Sequence, residues 1–572
     1  MVTYVWDRLV CEERTVADLA AALSLEPVTA RLLCLRGLTE PEDAARFLDP
    51  QLTHLHDPFL LADMAVAVDR TLGAVARRES IAVHGDYDVD GITSTVILRR
   101  ALELLGGEVR HFIPERLRDG YGLQPETIER LHADGVRLLI SVDCGIRGHE
   151  AARRARELGL DLIITDHHEP GGELPGALAV LNPKRHDCSY PDKHLAGVGV
   201  ALKLVQALCM RSGRESWLPA FVKVAALGTL ADVVPLAGEN RVIAKLGLDM
   251  MTRGPNKVGL QALLDVAGAA GREVTSGLVA FGIAPRINAA GRMATPDIAV
   301  RLLLATDAAQ AVEAGELARQ LDTENLRRRE EEAGILAAAR KIVETDPDVG
   351  ARSILVVAGD QWHRGVIGIV AAKLVDAFHR PAIVLSIENG QAHGSCRSIP
   401  GFNMLAALEG CAPLLERFGG HKQAAGLTMA TDRIRDLRHT INTHADALLG
   451  PDDLRPRLRI DADVRFRGLN GDLVQQVSRL APFGSGNPRP VFAATDVEIV
   501  DGPRPLKDRH LKMALRQEGR TLRAVAWRAI ERQSLLEAHR ARLEFAFSLE
   551  QNTFHGETYL ELTVADARPP AA

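Results

Sequence analysis

The chain has 572 residues, of which 46% are apolar and 25% charged, with a formal net charge of −6. This balance is that of folded protein and excludes a disordered or collagen-like chain, and no apolar run approaches the roughly 20 residues of a membrane-spanning helix. The seven scattered cysteines include no C-x-x-C pair, which argues against a disulfide framework or structural zinc. The acidic N-terminus lacks the basic region and apolar core of a signal peptide, so a cytoplasmic location without membrane contact is expected.

At the usual size per domain the length suggests about three to four domains. Residues 1 to 50 read as short helices, and an amphipathic helix follows from about Leu60 to Arg78. The stretch IAVHGDYDVDGITSTVIL, residues 81 to 98, then reads as strand, acidic loop and helix, delivering His84, Asp86, Asp88 and Asp90 into a glycine turn. An EF-hand shares the first part of that spacing, but Ile97 stands where its bidentate Glu belongs and a strand enters the loop.

Further apolar runs, VRHFIP, VRLLISVD, LDLIITD and ALAVLN, alternate with helical segments, predicting a parallel sheet covered on both faces. Two of these strands end in acid, Asp143 and Asp166, and the second is followed by His167 and His168. Parallel strands share one carboxyl edge, so these groups are expected to converge on one crevice. GTLADVVPL adds Asp232, for which a local cap is an equally good explanation.

Residues 296 to 345 read as a long helical connector whose charged centre is a solvated face. A second, smaller α/β segment runs to about 450, and short alternating strands from there to the end predict a small barrel.

His84, Asp86, Asp88, Asp143, His167 and Asp232 form an imidazole and carboxylate set large enough for two divalent cations, with Asp143 the expected bridge. Histidine ligands favour Mn²⁺, with Mg²⁺ a second possibility. Such a pair suits in-line attack of water on a phosphoryl group, with His168 placed to contact a phosphate oxygen.

HGDYDVDG, SVDCG, TDHHEP and GTLADVVPL together resemble the DHH phosphoesterase superfamily, whose eponym is Asp166-His167-His168. In that superfamily the first histidine binds metal and the second contacts phosphate. QWHRGVIGIVAAKL, HGSCRSIPGFNM and FGGHKQAAGLTM resemble its substrate-binding DHHA1 domain, which implies a phosphate pocket from Ser395, Arg397, Gly419, Gly420 and His421.

PERLRDGYGL, APRINAAGRM, the connector and APFGSGNPRPVF narrow the resemblance to a family of single-strand-specific exonucleases in that superfamily. The fold implied is α/β: a parallel-sheet DHH domain (51–295) after an N-terminal helical segment (1–50), a long helix (296–345), a DHHA1 domain (346–450) and an OB-like barrel (451–572). The activity implied is 5′ to 3′ degradation of single-stranded DNA in recombination and repair. Polarity comes from the resemblance alone. Arg116 and Tyr121 match positions that hold DNA at the entrance, and Arg286, Asn288 and Arg292, in a small-residue loop, read as phosphate or sugar contacts.

The last domain carries a basic stripe of Arg504, Lys507, Arg509, Lys512, Arg516, Arg520, Arg523 and Arg528 near Trp527, which suits single-stranded nucleic acid. A single-stranded-DNA-binding protein and a RecQ-type helicase are the implied partners of a monomer. The competing expectations are a DHH phosphodiesterase acting on oligoribonucleotides or small nucleotides, and a non-catalytic replication scaffold; survival of the metal-ligand set speaks against the second.

Overall fold

A computed structural model describes residues 4–115, 122–554 and 557–570, so Arg116 and Tyr121 lie outside the described residues. The chain forms two compact units: residues 10–325, 461–528 and 536–572 make the larger, and residues 1–9, 326–460 and 529–535 the smaller.

The chain opens with a strand, β1 (Val5–Arg8), where only helix was expected. Four residues give too short a pattern to read, and the partner strand lies some 450 residues away in sequence. Helices α1 (Glu13–Leu23), α2 (Pro27–Cys34) and α3 (Pro41–Leu48) follow as predicted, the last two started by proline in their first turn.

After α4 (Met64–Ala76), strands β2 (Ser80–Gly85), β3 (Glu108–Phe112), β4 (Leu138–Val142), β5 (Asp161–Thr165) and β6 (Ala179–Leu181) form a wholly parallel sheet in the order β3-β2-β4-β5-β6. Ile81, Val83, Ile140 and Ile163 pack into one core and Ala82, Leu139, Leu162 and Ile164 into another, so both faces are buried. The order reverses at β2, which places the ligand crevice beyond the carboxyl ends of β2 and β4.

Further helices of this unit are α5 (Val89–Leu104), α6 (Pro125–Ala133), α7 (His149–Leu158), α8 (Gly197–Arg211), α9 (Pro219–Ala231), α10 (Gly238–Arg253), α11 (Val258–Val266), the single turn α12 (Ser276–Leu278), α13 (Ala284–Met293) and α14 (Asp297–Leu304). The connector is not one helix: it breaks after α14 and restarts as α15 (Ala311–Thr345). The break is a local capping box, in which the Gln310 side chain accepts from the Thr306 and Asp307 N–H groups at 2.9 and 3.1 Å. On α15 the Arg328–Glu332 pair, 2.6 Å apart, is largely buried rather than solvated.

In the smaller unit β7 (Leu355–Asp360), β8 (Ala382–Glu388), β9 (Gln391–Arg397), β10 (Arg417–Gly420) and β11 (Ala424–Ala430) make a mixed sheet in the order β10-β11-β9-β8-β7, with only β7–β8 parallel. β12 (Arg457–Ile460) pairs parallel with β1.

In the larger unit β13 (Ala462–Asp463), β14 (Phe492–Leu506), β15 (His510–Gln517), β16 (Arg520–Ala526), β17 (Leu543–Phe554) and β18 (Glu557–Arg568) run in the order β13-β14-β15-β16-β18-β17, and pairing of β14 with β17 closes a five-stranded barrel. Phe492, Phe545 and Phe547 fill its interior. All seven cysteines are free, and among the described residues no helix is long and apolar enough to cross a membrane.

Candidate metal centre and phosphate-binding surfaces

Each acidic side chain of the rim is set by the end of a regular element. Asp86 follows β2, and Asp88 is the N-cap of α5, its carboxylate accepting from the Asp90 and Gly91 N–H groups at 3.0 and 3.1 Å. Asp143 follows β4 at φ +60°, a left-handed turn that swings its side chain off the strand line. Gly197 at the start of α8 lets that helix close on it: a Cβ there would stand 2.4 Å from Asp143 Oδ1. His167 follows β5 by two residues, and Asp232 is the C-cap of α9.

These termini meet. His167 Nε2 lies 3.2 Å from Asp143 Oδ1, 3.7 Å from Asp232 Oδ2 and 3.9 Å from Asp90 Oδ2. Three overlapping groups, Asp86/Asp88/Asp143, Asp143/His167/His168 and Asp90/His167/Asp232, bring their ligand atoms within 4.8 Å of one another. His84 is wholly buried at the end of β2, with Nδ1 3.5 Å from Cys144 Sγ, and is in none of the three groups.

Asp90 is the member the sequence did not single out as a ligand. The Gly197 and Val198 N–H groups donate to its carboxylate at 2.7 and 2.8 Å, fixing it across the start of α8. Its place in D-x-D-x-D, ahead of Gly91, was the available signal; the contact with α8 was not readable.

Packing these acids out of water disfavours their charge. Burial, reinforced by Asp232, pushes Asp90 up to about 7. Burial and Asp88 do the same to Asp232, also to about 7, and Asp143 is raised well above the carboxylate range. Burial lowers His167, which favours the neutral, metal-binding imidazole.

Asp166 faces away from this cluster. Its carboxylate accepts from the Ile146 N–H at 2.9 Å, from the His167 and His168 N–H groups, and from His168 Nδ1 at 2.7 Å. Burial alone would lower His168, but the Asp166 carboxylate outweighs it and lifts the imidazole to about 9. At neutral pH His168 is therefore a cation.

The segment expected as a small-residue loop is the helix α13, begun by Pro285 and rich in alanine, and Gly291 packs it onto the Tyr87 carbonyl. Asn288 Oδ1 accepts from the Val89 N–H at 3.2 Å, bracing the acidic loop, and the residue remains partly exposed. Arg286 binds Asp322 through Nε and Nη2 at 2.9 and 2.8 Å and the Gly282 carbonyl through Nη1, so its guanidinium is committed within the protein. Arg292 is half-buried in the last turn of α13.

In the smaller unit, β9, β11 and β10 align Ser395, Gly426 and Gly419 in one row, with Gly420 beside Ala425 and His421 closing the hairpin. Arg397 Nη1 donates to Ser395 Oγ at 3.2 Å, and Gly368, in the first turn of the helix Ile367–Phe378, abuts both residues. The strip is bare of side chains and edged by a cation, a hydroxyl and a helix N-terminus, donors that together suit phosphate. Sequence spacing missed Gly368.

On the barrel the basic stripe is thinner than its residue count. Arg504 and Arg516 pair with Asp501 and Glu498, and Arg520 donates to the Phe466, Arg467 and Leu469 carbonyls. Lys507, Arg509, Lys512 and Arg528 stand exposed with no carboxylate partner among the described residues, and Trp527, 55% exposed, meets His510 edge to face.

Models of three families match the chain: the DHH family N-terminal domain over residues 80–229, the DHHA1 domain over 351–446 and the RecJ OB domain over 460–566. Among similar proteins, the single-stranded-DNA-specific exonuclease RecJ of Bacillus subtilis is 38% identical over 98% of this chain and 70% of its own length. The RecJ of Escherichia coli is 32% identical over 97% of each. The chain belongs to the RecJ family.

The solved structure of Thermus thermophilus RecJ with Mn²⁺ superposes with a TM-score of 0.84 at 33% identity, covering 99% of this chain and 80% of that one; RecJ of the same organism has also been solved with Mg²⁺. The RecJ fold expected from the sequence, parallel-sheet domain, long helix, smaller α/β domain and barrel, is the fold found. The donor set of this RecJ chain fits divalent cations: among the described residues Asp143 Oδ1 and His167 Nε2 are buried with no hydrogen-bond partner, amid carboxylates that strain one another electrostatically. A divalent cation relieves both conditions at once.

Proposed function

We propose that this protein is a metal-dependent exonuclease specific for single-stranded DNA, hydrolysing phosphodiester bonds, and that it acts in DNA recombination and repair. The observation that carries the proposal is the overlap of three ligand groups at one sheet rim. The specificity rests on the RecJ relatives, which are named for it.

The residues that would hold two cations are Asp86, Asp88 and Asp143 for one, and Asp90, His167 and Asp232 for the other, with Asp143 shared and His84 behind the loop. Mn²⁺ suits the histidine-containing set better than Mg²⁺. When bound, such a pair would neutralise phosphoryl charge and raise the acidity of the attacking water. The chain's own part is positional and electrostatic. Asp166 holds His168 charged and in one orientation through the 2.7 Å bond to Nδ1, leaving Nε2–H as a cationic donor for a phosphate oxygen.

Ser395, Arg397, Gly419, Gly420 and His421 are proposed to hold a backbone phosphate, and Lys507, Arg509, Lys512, Arg528 and Trp527 to track the strand. Polarity, 5′ to 3′, follows the family resemblance. So does docking of a single-stranded-DNA-binding protein or RecQ-type helicase, and the domain limits 51–295, 346–450 and 451–572 and a monomeric cytoplasmic protein belong to the same proposal.

Digestion of end-labelled single- and double-stranded DNA and RNA of both polarities, with Mn²⁺, Mg²⁺ or chelator, tests substrate, direction and metal together. Asp143→Ala is expected to abolish cleavage while single-strand binding stays within a few fold. Retained cleavage with lost binding would overturn the proposal.

A further inference from the structure

Asp232 leaves α9 in a turn whose next residue, Val233, has φ +61°. A β-branched residue adopts that left-handed backbone only when its surroundings over-determine it. Val233 itself is 70% exposed, and the loop that enters the barrel, residues 481–489, holds the chain two and three residues further on. The Leu236 N–H donates to the Ser485 carbonyl at 2.8 Å. A Cβ on Gly486, itself at φ +69°, would stand 2.9 Å from Pro235 Cβ, and one on Gly484 would stand 2.9 Å from Leu236 Cδ1. At these two points there is no room between loop and turn for an added methyl group.

The loop is in turn fixed by side chains from the turn after α2, from α10 and from the loop itself. Arg241 on α10, wholly buried, donates to the carbonyls of Phe47, Arg479, Leu480 and Ala481, with its guanidinium 3.6 Å from the Phe47 ring centre. Arg36 donates to Asn487 Oδ1 at 2.6 Å and to the Pro488 carbonyl at 2.7 Å. Asn487 returns its amide to the Leu480 and Pro482 carbonyls. None of these donors belongs to the ligand groups of the rim.

We infer that the barrel's entry loop is a positioning element of the metal centre: it holds the turn after Asp232 and thereby the place of that carboxylate. The inference rests on the metal reading above and gives the barrel a second task besides holding DNA. Metal–oxygen distances tolerate only about 0.2 Å of error, and supporting groups outside the ligands commonly change metal affinity 10- to 100-fold. A few tenths of an ångström at Pro235 are therefore enough to register.

Calorimetric titration of Mn²⁺ into the full chain, without DNA, tests it. Gly486→Ala, which meets rigid proline atoms, is expected to weaken Mn²⁺ binding about ten-fold or more. Gly484→Ala, which meets only a movable leucine methyl, is expected to stay within about two-fold. Arg36→Gln loosens the loop from its far side without adding atoms and should weaken Mn²⁺ by an intermediate factor; it decides the matter should Gly486→Ala fail to fold. Single-strand affinity in chelator is measured alongside. Wild-type Mn²⁺ affinity in both Gly486→Ala and Arg36→Gln, or a loss confined to DNA affinity, overturns the inference alone. No Mn²⁺ binding by the wild-type chain overturns the metal reading itself.

Discussion

Three carboxylates of the rim, Asp90, Asp143 and Asp232, are held where, without metal, their charge is disfavoured. Burial and mutual repulsion push Asp90 and Asp232 from 3.8 up to about 7 and hold Asp143 well above the usual carboxylate range. A carboxyl raised in the fold contributes stability that is whole below its unfolded pKa and is lost as pH rises through the folded one. The metal-free protein is thus expected to lose melting temperature between about pH 4 and pH 7, with the gap to the Mn²⁺-loaded protein widening over the same range. Scanning calorimetry on both forms measures it, and a gap independent of pH would contradict the assignment. Asp166→Asn tests the neighbouring pair. Losing the carboxylate lets His168 fall from about 9, so the alkaline limb of the rate–pH profile should move to lower pH, with kcat reduced about 10- to 100-fold.

Between elements, buried charge does structural work beside the rim. Lys203 on α8 and Glu239 on α10 are both almost wholly buried and 2.9 Å apart; Tyr190 also bonds Glu239, and Lys203 donates to the His56 carbonyl. Burial lowers the Lys203 pKa, but its partners keep the pair satisfied. Removing one charge strands the other, so Glu239→Gln is expected to cost about 3–5 kcal/mol in denaturant unfolding, while replacing both residues by Met should recover most of it. An additive double variant would show that the two do not act as a pair. The same lesson holds for α13: Arg286 had the composition of a phosphate contact, but Asp322 on α15 takes its guanidinium.

Over the whole molecule, the large excess of basic residues on the barrel reduces to a few exposed cations, Lys507, Arg509, Lys512 and Arg528 among them, with no carboxylate partner among the described residues, together with the exposed ring of Trp527. Trp527→Ala is expected to weaken single-strand binding about ten-fold with little change in salt dependence, since stacking carries no counterions. Lys512→Gln combined with Arg528→Gln should instead flatten the plot of log affinity against log salt by about 1.4, at roughly 0.7 per phosphate contact. Fluorescence anisotropy across a salt series separates the two, and an unchanged slope would remove the barrel face from the DNA path. The chain without its barrel is a poor test of that path, because deletion also takes the loop that supports Leu236 and Pro235.

The sequence by itself determined the parallel sheet, the acids at its strand ends, the second α/β segment and the barrel, because hydrophobic period and strand-end chemistry are local properties written in consecutive residues. From the parallel order alone, convergence of Asp86, Asp143 and His167 followed, since such strands share an edge; Asp232, at the end of a helix, was as readily a local cap. Only the tertiary structure decided which polar groups remained available once the fold had used the rest. Asp90 turned inward against α8, Asn288 braced the acidic loop, Arg504 and Arg516 found carboxylates, and β1 paired with a strand some 450 residues away. A side chain's partner is fixed by non-local packing, and a buried donor or acceptor must find one; residue type and spacing carry no record of which it will be.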